Sequence, residues 1–220
     1  LNLKQKIHLK NSILSEYFLY FALGLKNQIY ALKFPRLDRL KFFREAIRDI
    51  KTSGTIVPSS RFLTKRMVKH IDFSTVKVIV EFGPGNGIIT KEILKRIQPD
   101  AKLIAFEINE KFFQSLERIK HSQLIIEKVS AENITSVLKK HGFAKVDCVI
   151  SSLPFTNIPD EISDRILSNT YQAMEDNSMF VQYQYSLSYY KKLKEVFNDN
   201  VKLSFEAFNI PPAFVYIAQK

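Results

Sequence analysis

Three glycines and two carboxylates are the residues of this chain whose types and spacing could do chemistry. In the run Val78-Ile79-Val80-Glu81-Phe82-Gly83-Pro84-Gly85-Asn86-Gly87-Ile88-Ile89-Thr90, an apolar stretch with one acid inside it meets a glycine turn and then a helix-like pattern. Glycine lets a backbone approach a ligand closely, and an open α/β sheet binds its ligand where such a turn leaves a strand. Twenty residues after Gly87, the next apolar run closes in Ala105-Phe106-Glu107. A carboxylate placed there accepts hydrogen bonds from both ribose hydroxyls of an adenosine moiety.

A dinucleotide fits these residues poorly. The loop reads G-x-G-x-G, whereas the dinucleotide fingerprint is G-x-G-x-x-G, and Glu81 stands two residues before the loop, where it repels a pyrophosphate. The same acid suits the positively charged amino-acid end of S-adenosylmethionine, so the residues point to that cofactor.

Such a loop needs a sheet to hold it. Apolar, β-prone runs occupy 76–82, 103–107, 124–129, 146–152, 178–185, 203–208 and 214–218, and helical patterns fit between the first six. This alternation predicts a Rossmann-like α/β fold: a parallel, doubly wound sheet covered on both faces. Phe205, Phe208, Phe214 and Tyr216 flank the turn Ile210-Pro211-Pro212, so the last two strands are expected to form an antiparallel hairpin at the sheet edge.

Residues 1–52 read differently, as a basic helical extension, leaving 53–220 as the catalytic domain. Within 1–50 there are ten Lys or Arg against four acids, and Phe34, Leu37, Leu40, Phe43 and Ile47 recur at helical spacing between cations. An apolar face with cationic margins suits the headgroup boundary of an anionic membrane; the alternative is a helix packed over the catalytic domain, shielding its site. The stretch 13–25 contains Glu16 and is shorter than the roughly 20 residues that cross a bilayer.

Bulk properties agree with one conventional domain. At 220 residues, 45% hydrophobic and 25% charged, the chain is neither disordered nor a disulfide-stapled scaffold. Its 33 Lys and Arg against 22 acids give a net charge of +11, a field that attracts nucleic acid or acidic lipid. Cys148 alone forms no internal disulfide, which fits a reducing cytoplasm, and no small-residue cleavage site follows residues 1–10. His8, His70, His121 and His141 lack metal-ligand spacing and are expected on surfaces, so no metal is predicted. Nothing in the pattern sets an oligomeric state.

The segment from Glu81 to Gly87 resembles the E-x-G-x-G-x-G motif of the class I methyltransferases. That resemblance covers roughly residues 53–220 and implies a seven-stranded sheet with a reversed last strand. It carries cofactor contacts onto Glu81, Gly83, Gly85, Asn86, Gly87, Glu107, Ile108, Ser130, Ala131 and Ser151. At Ser130 the family usually has an Asp for the adenine amino group; Glu132 or backbone groups are the substitutes.

Two branches of the class compete, the rRNA adenine dimethyltransferases and the bacterial phospholipid N-methyltransferases. Gly54-Thr55-Ile56-Val57-Pro58-Ser59-Ser60-Arg61-Phe62-Leu63, Ser152-Leu153-Pro154-Phe155 and Asn209-Ile210-Pro211-Pro212-Ala213 look like the phospholipid branch. In the adenine enzymes the second of these reads N-L-P-Y/F, and its Asn carbonyl positions the exocyclic amine. Ser152 offers no such rigid carbonyl. The resemblance thus implies methylation of phosphatidylethanolamine by a cytoplasmic, peripherally membrane-bound enzyme, with RNA as the alternative acceptor. A third reading keeps the fold as a cofactor-binding or lipid-binding module without turnover. Tyr185, Ser152 and Phe155 are the expected catalytic residues, and Leu153, Pro154 and Tyr183 the expected acceptor contacts. Phe155 is placed at the site mouth, sharing an aromatic lining with the two tyrosines that holds the methylated cation.

Overall fold

The computed structural model describes residues 60–209 and 211–220. The basic extension over 1–52, its expected membrane contact, the segment 54–59 and Ile210 therefore lie outside the described residues.

Strands and helices alternate along the chain. After helix α1 (Arg61–Val68) come β1 (Val78–Phe82), α2 (Ile88–Leu94), β2 (Lys102–Phe106), α3 (Glu110–Glu117), β3 (Leu124–Glu127), α4 (Ile134–Lys140), β4 (Val146–Ser151), α5 (Asp160–Ala173), β5 (Met174–Gln184), α6 (Tyr190–Val196), β6 (Val201–Glu206) and β7 (Ala213–Gln219). The seven strands form one sheet in the order β3-β2-β1-β4-β5-β7-β6. The pairs among β1 to β5 are parallel, and β7 runs antiparallel to both β5 and β6. The expected hairpin is present, but its second strand inserts next to β5 and leaves β6 on the edge.

Burial explains the pattern. All five residues of β1 are buried, as a strand covered on both faces requires. Successive side chains feed opposite layers. Val80, Phe82, Val149 and Phe180 join Ile134, Val137, Ile166 and Leu193 from α4, α5 and α6. Ile79, Leu103, Cys148, Ile150 and Val181 join Leu63 and Met67 of α1 and Ile89 and Ile93 of α2. Each such side chain contributes roughly 2 kcal/mol through burial. Cys148 is core packing, and burial pushes its thiol far above the ordinary range.

Two features differ most from the sequence reading. Strand β5 starts at Met174, four residues before the expected start, because α5 passes directly into it; Met174 pairs with Val146 before a register shift at Cys148, and Asn177 takes a left-handed φ of 64°. His141 is also less exposed than expected, since its imidazole contacts Glu127 Oε1 at 2.5 Å beside Lys140.

Candidate cofactor and acceptor site

Parallel pairing brings the carboxyl ends of β1, β2 and β4 to one edge of the sheet. The Gly83 amide donates to the Phe106 carbonyl at 3.0 Å, and the Ser152 amide donates to the Phe82 carbonyl at 2.9 Å, so the three exit loops stay in register. In the first loop Gly83, Gly85 and Gly87 all have positive φ, from 54° to 73°. A Cβ on Gly87 would also lie 2.8 Å from Ile119 Cδ1, and one on Gly83 would lie 3.1 Å from Leu153 Cδ2. Asn86, by contrast, is exposed at the crest of the turn.

Glu107 is buried, and its carboxylate is fixed from two sides. Oε2 accepts the Gly85 amide at 3.1 Å and Oε1 accepts the Asn109 amide at 2.8 Å. Each oxygen keeps a lone pair for a hydroxyl. Ile108, next to it, is 70% exposed, an apolar face beside a polar cradle. Glu81 is fully buried on the α2 side, where Thr90 Oγ1 donates to Oε2 at 2.7 Å. Its Oε1 has no partner among the described residues. Desolvation, aided by the Glu107 charge, lifts the Glu81 carboxyl to about 7. A buried acceptor with an open lone pair is what an ammonium group needs.

Ser130 and its neighbours are occupied otherwise. The Ser130 hydroxyl accepts from the Glu132 amide at 3.3 Å and donates to Glu132 Oε2 at 3.0 Å, capping the short turn that holds buried Ala131. Glu132 Oε1 in turn accepts from Arg165 Nε at 2.7 Å.

The acceptor side is built from β4 and β5. Ser151 is fully buried and its hydroxyl accepts the Leu153 amide at 3.3 Å, turning the chain. Ser152 is half-buried and Pro154 is exposed. Gln182 and Gln184, adjacent on one face of β5, each donate from Nε2 to the Leu153 carbonyl at 2.9 Å. The Phe155 amide donates to the same carbonyl at 3.0 Å, so it accepts from three donors. Gln182 also donates to the Tyr183 carbonyl, while its own Oε1 is buried without a partner among the described residues.

The expected aromatic lining is not one wall. Phe155 is fully buried and stacks on Tyr189 at 5.3 Å within the α4-α5-α6 layer, so its place at the site mouth is corrected. Tyr183 and Tyr185 meet edge-on at 5.7 Å and pack toward α1 and α2, across the sheet. Alternation along β5 sends the glutamines to one face and these tyrosines to the other. Burial and Tyr183 hold the Tyr185 phenol far above its ordinary range, with the Asn209 side chain beside it. Sequence reasoning missed Thr90, Gln182, Gln184 and Asn209. For the glutamines the visible signal was a pair of amides two apart in the otherwise apolar and aromatic run 179–185.

Among the described residues, no group of three or more His, Cys, Asp or Glu could hold a metal ion, and no helix is long and apolar enough to cross a membrane.

A family model described as ribosomal RNA adenine dimethylase matches residues 58–205. An ornithine lipid N-methyltransferase of Singulisphaera acidiphila is 28% identical over 181 residues, covering 81% of this chain and 92% of that protein. Ribosomal RNA small subunit methyltransferase A of Mycoplasma mycoides is 29% identical over 113 residues, 50% of this chain but 39% of that protein. Two solved structures share the fold. An S-adenosylmethionine-dependent methyltransferase of Archaeoglobus fulgidus has a TM-score of 0.56 at 18% identity, covering 80% of this chain and 99% of that one. A precorrin-6y methyltransferase of Geobacter metallireducens has a TM-score of 0.58 at 11% identity, covering 76% and 93%.

Proposed function

This chain belongs to the ribosomal RNA adenine dimethylase family and is an S-adenosylmethionine-dependent methyltransferase; from that premise we propose that its acceptor is the amine of a membrane-lipid headgroup. Phosphatidylethanolamine and its partly methylated derivatives are the substrates we assign. The observation that carries this reading is length: the match to a lipid N-methyltransferase runs through 92% of that enzyme, whereas the match to an RNA enzyme stops at 39%. Ser152 supports it, because a hydroxyl lacks the amide carbonyl that aligns a planar adenine amine.

The residues fit the cofactor. Glu81 Oε1 would hold the ammonium, Glu107 would take the ribose hydroxyls, the positive-φ loop would let the backbone close in, and Ile108 would lie against the base. When bound, S-adenosylmethionine supplies an electrophilic methyl on a sulfonium. The chain's own task is to present a neutral amine in line with that methyl. An ethanolamine headgroup arrives as ammonium and must lose one proton. The half-buried Ser152 hydroxyl passes that proton to solvent, and the Gln182 Oε1 accepts one of the remaining N–H groups. The two amides clamped on the Leu153 carbonyl fix the loop that carries Ser152. Tyr185 stays protonated at neutral pH, so it serves as a wall and a neutral hydrogen-bonding group instead of a phenolate base.

Transfer of radiolabelled methyl from S-adenosylmethionine tests the reading, with phosphatidylethanolamine vesicles, ornithine-lipid vesicles and unmodified ribosomal RNA in parallel. Label in phosphatidylethanolamine is the expected result. Label in ornithine lipid alone keeps the lipid class and changes the headgroup, and label in RNA alone overturns the proposal.

A further inference from the structure

Among the described residues, large exposed apolar side chains are few and unevenly placed. Phe62, Ile108, Leu187, Leu203 and Phe208 are the five, and all but Leu203 sit where loops or a helix start reach the carboxyl edge of the sheet. Scattered surface apolar residues need no explanation, but a cluster on the rim of a site does. Ile108 is accounted for by the cofactor base. Phe62, Leu187 and Phe208, exposed by 43%, 47% and 59%, are not.

Phe62 and Phe208 come from opposite ends of the described chain yet touch, with ring centroids 5.4 Å apart. The contact is held from below. The Ser60 amide donates to Asn209 Oδ1 at 3.0 Å, and Asn209 Nδ2 donates to the Pro211 carbonyl at 2.7 Å. The buried Glu206 accepts Arg66 Nε at 3.0 Å and the Phe208 amide at 3.0 Å. Asn209 also lies beside the Tyr185 hydroxyl, so the pair stands on the wall of the acceptor side. Two half-exposed phenyl rings are thus mounted on a buried polar frame, which keeps them from folding inward.

The exposed charge that α1 brings to the pair is positive. The Arg61 guanidinium lies 5.3 Å from the centre of the Phe62 ring, and α1 carries Arg61, Lys65 and Arg66 with no acid. Arg61, Lys65 and the capping Lys69 have no ion-pair partner among the described residues, whereas Arg66 is spent on Glu206.

We infer that Phe62 and Phe208, with Leu187 on the same edge and the cations of α1 behind them, form a membrane-docking rim that enters the headgroup boundary of an anionic bilayer. The inference rests on the lipid-acceptor reading above and adds the face that meets the lipid. Aromatic rings favour that depth and nearby cations favour its surface charge. An RNA partner is less well served: Leu187 gives a base no aromatic face to stack on, and rings already packed on each other leave no slot between them. Docking by this edge brings the carboxyl ends of β4 and β5 to the lipid headgroups without lifting a lipid out of the bilayer.

The test is co-sedimentation of the full chain with vesicles of phosphatidylglycerol and phosphatidylcholine, which contain no amine acceptor. Phe62→Ser with Phe208→Ser should weaken vesicle binding at least tenfold. Cofactor affinity and thermal midpoint, measured on the same protein, should stay within about twofold and a few degrees. Arg61→Glu with Lys65→Glu should weaken binding and reduce its salt dependence. Unchanged sedimentation of the phenylalanine variant, or no sedimentation of the parent chain, overturns the inference. So does loss of RNA capture with vesicle binding intact. If the variant loses vesicle binding but neither protein labels lipid, the rim stands and the acceptor reading falls. Should the double serine variant misfold, Phe208→Ser alone, at the more exposed of the two rings, should still lower binding severalfold.

Discussion

The proposed cofactor half and the proposed acceptor half of this site are made from different materials. At the ends of β1 and β2 the working groups are backbone amides, glycines at positive φ and two buried carboxylates. At the ends of β4 and β5 they are side-chain amides and rings, divided between two faces of one strand. The first kind is rigid because the backbone path itself is the site. The second depends on which way each side chain leaves the sheet, so one residue of slip would exchange glutamines for tyrosines. Cofactor binding should therefore respond to changes in backbone geometry, and acceptor turnover to single side-chain atoms.

Substitutions sharpen that contrast. The largest effect is expected from Gly87→Ala, which adds a Cβ 2.8 Å from Ile119 Cδ1 at a φ of 73°. Calorimetric titration should show S-adenosylmethionine affinity reduced by about a hundredfold or more, and a mild effect would mean that the loop is not the rigid half.

Next comes Glu81, through pH. Burial holds its carboxyl at about 7 in the folded chain, well above the ordinary 4.5 of an exposed glutamate. A raised carboxyl gives stability that is full below the unfolded value and is lost as pH rises through about 7. Between pH 5 and 8 the cofactor-free protein should thus lose roughly 3 kcal/mol from this one group. Urea unfolding at both pH values should show that loss, and Glu81→Gln should flatten it. Equal slopes in parent and variant would break the assignment of a buried, proton-holding acid to the cofactor half.

On the acceptor side, Gln182→Met removes one donor to Leu153 and the unpartnered Oε1 while keeping the length of the side chain. Turnover with lipid should fall by about tenfold, with cofactor affinity unchanged. A matching loss of cofactor affinity would show that the two halves are not separable. The smallest effect belongs to Tyr185→Phe, because a phenol that stays protonated loses only a neutral hydrogen bond. A decline of about threefold is expected, with no movement of the alkaline limb of the rate profile.

Legibility in the sequence follows the same division. The run of five buried residues in β1 with an acid among them, the loop glycines and the carboxylate closing the next strand all lie close in sequence, and their spacing alone fixes their geometry. The seven strands were readable for the same reason, since each carries its own apolar run. The early start of β5 was hidden because Glu175, Asp176 and Asn177 are exposed and polar, and they belong to the strand only through pairing and an irregularity opposite Val146 and Cys148. Phe155 was misplaced for a related reason. Its partner Tyr189 lies 34 positions away, and nothing local tells a stacked core ring from an open one.

The position of β7 has a consequence for how the enzyme is made. Ala213–Gln219 lies between β5 and β6, so two earlier strands wait for a later one. Gln184, Tyr183 and Gln182 find their partners Phe214, Val215 and Tyr216 only when those residues leave the ribosome. Until then β5 is an uncovered edge, open to pairing with other chains. In a growing chain the strands around the glycine loop are all made before β7 can fill its place beside β5.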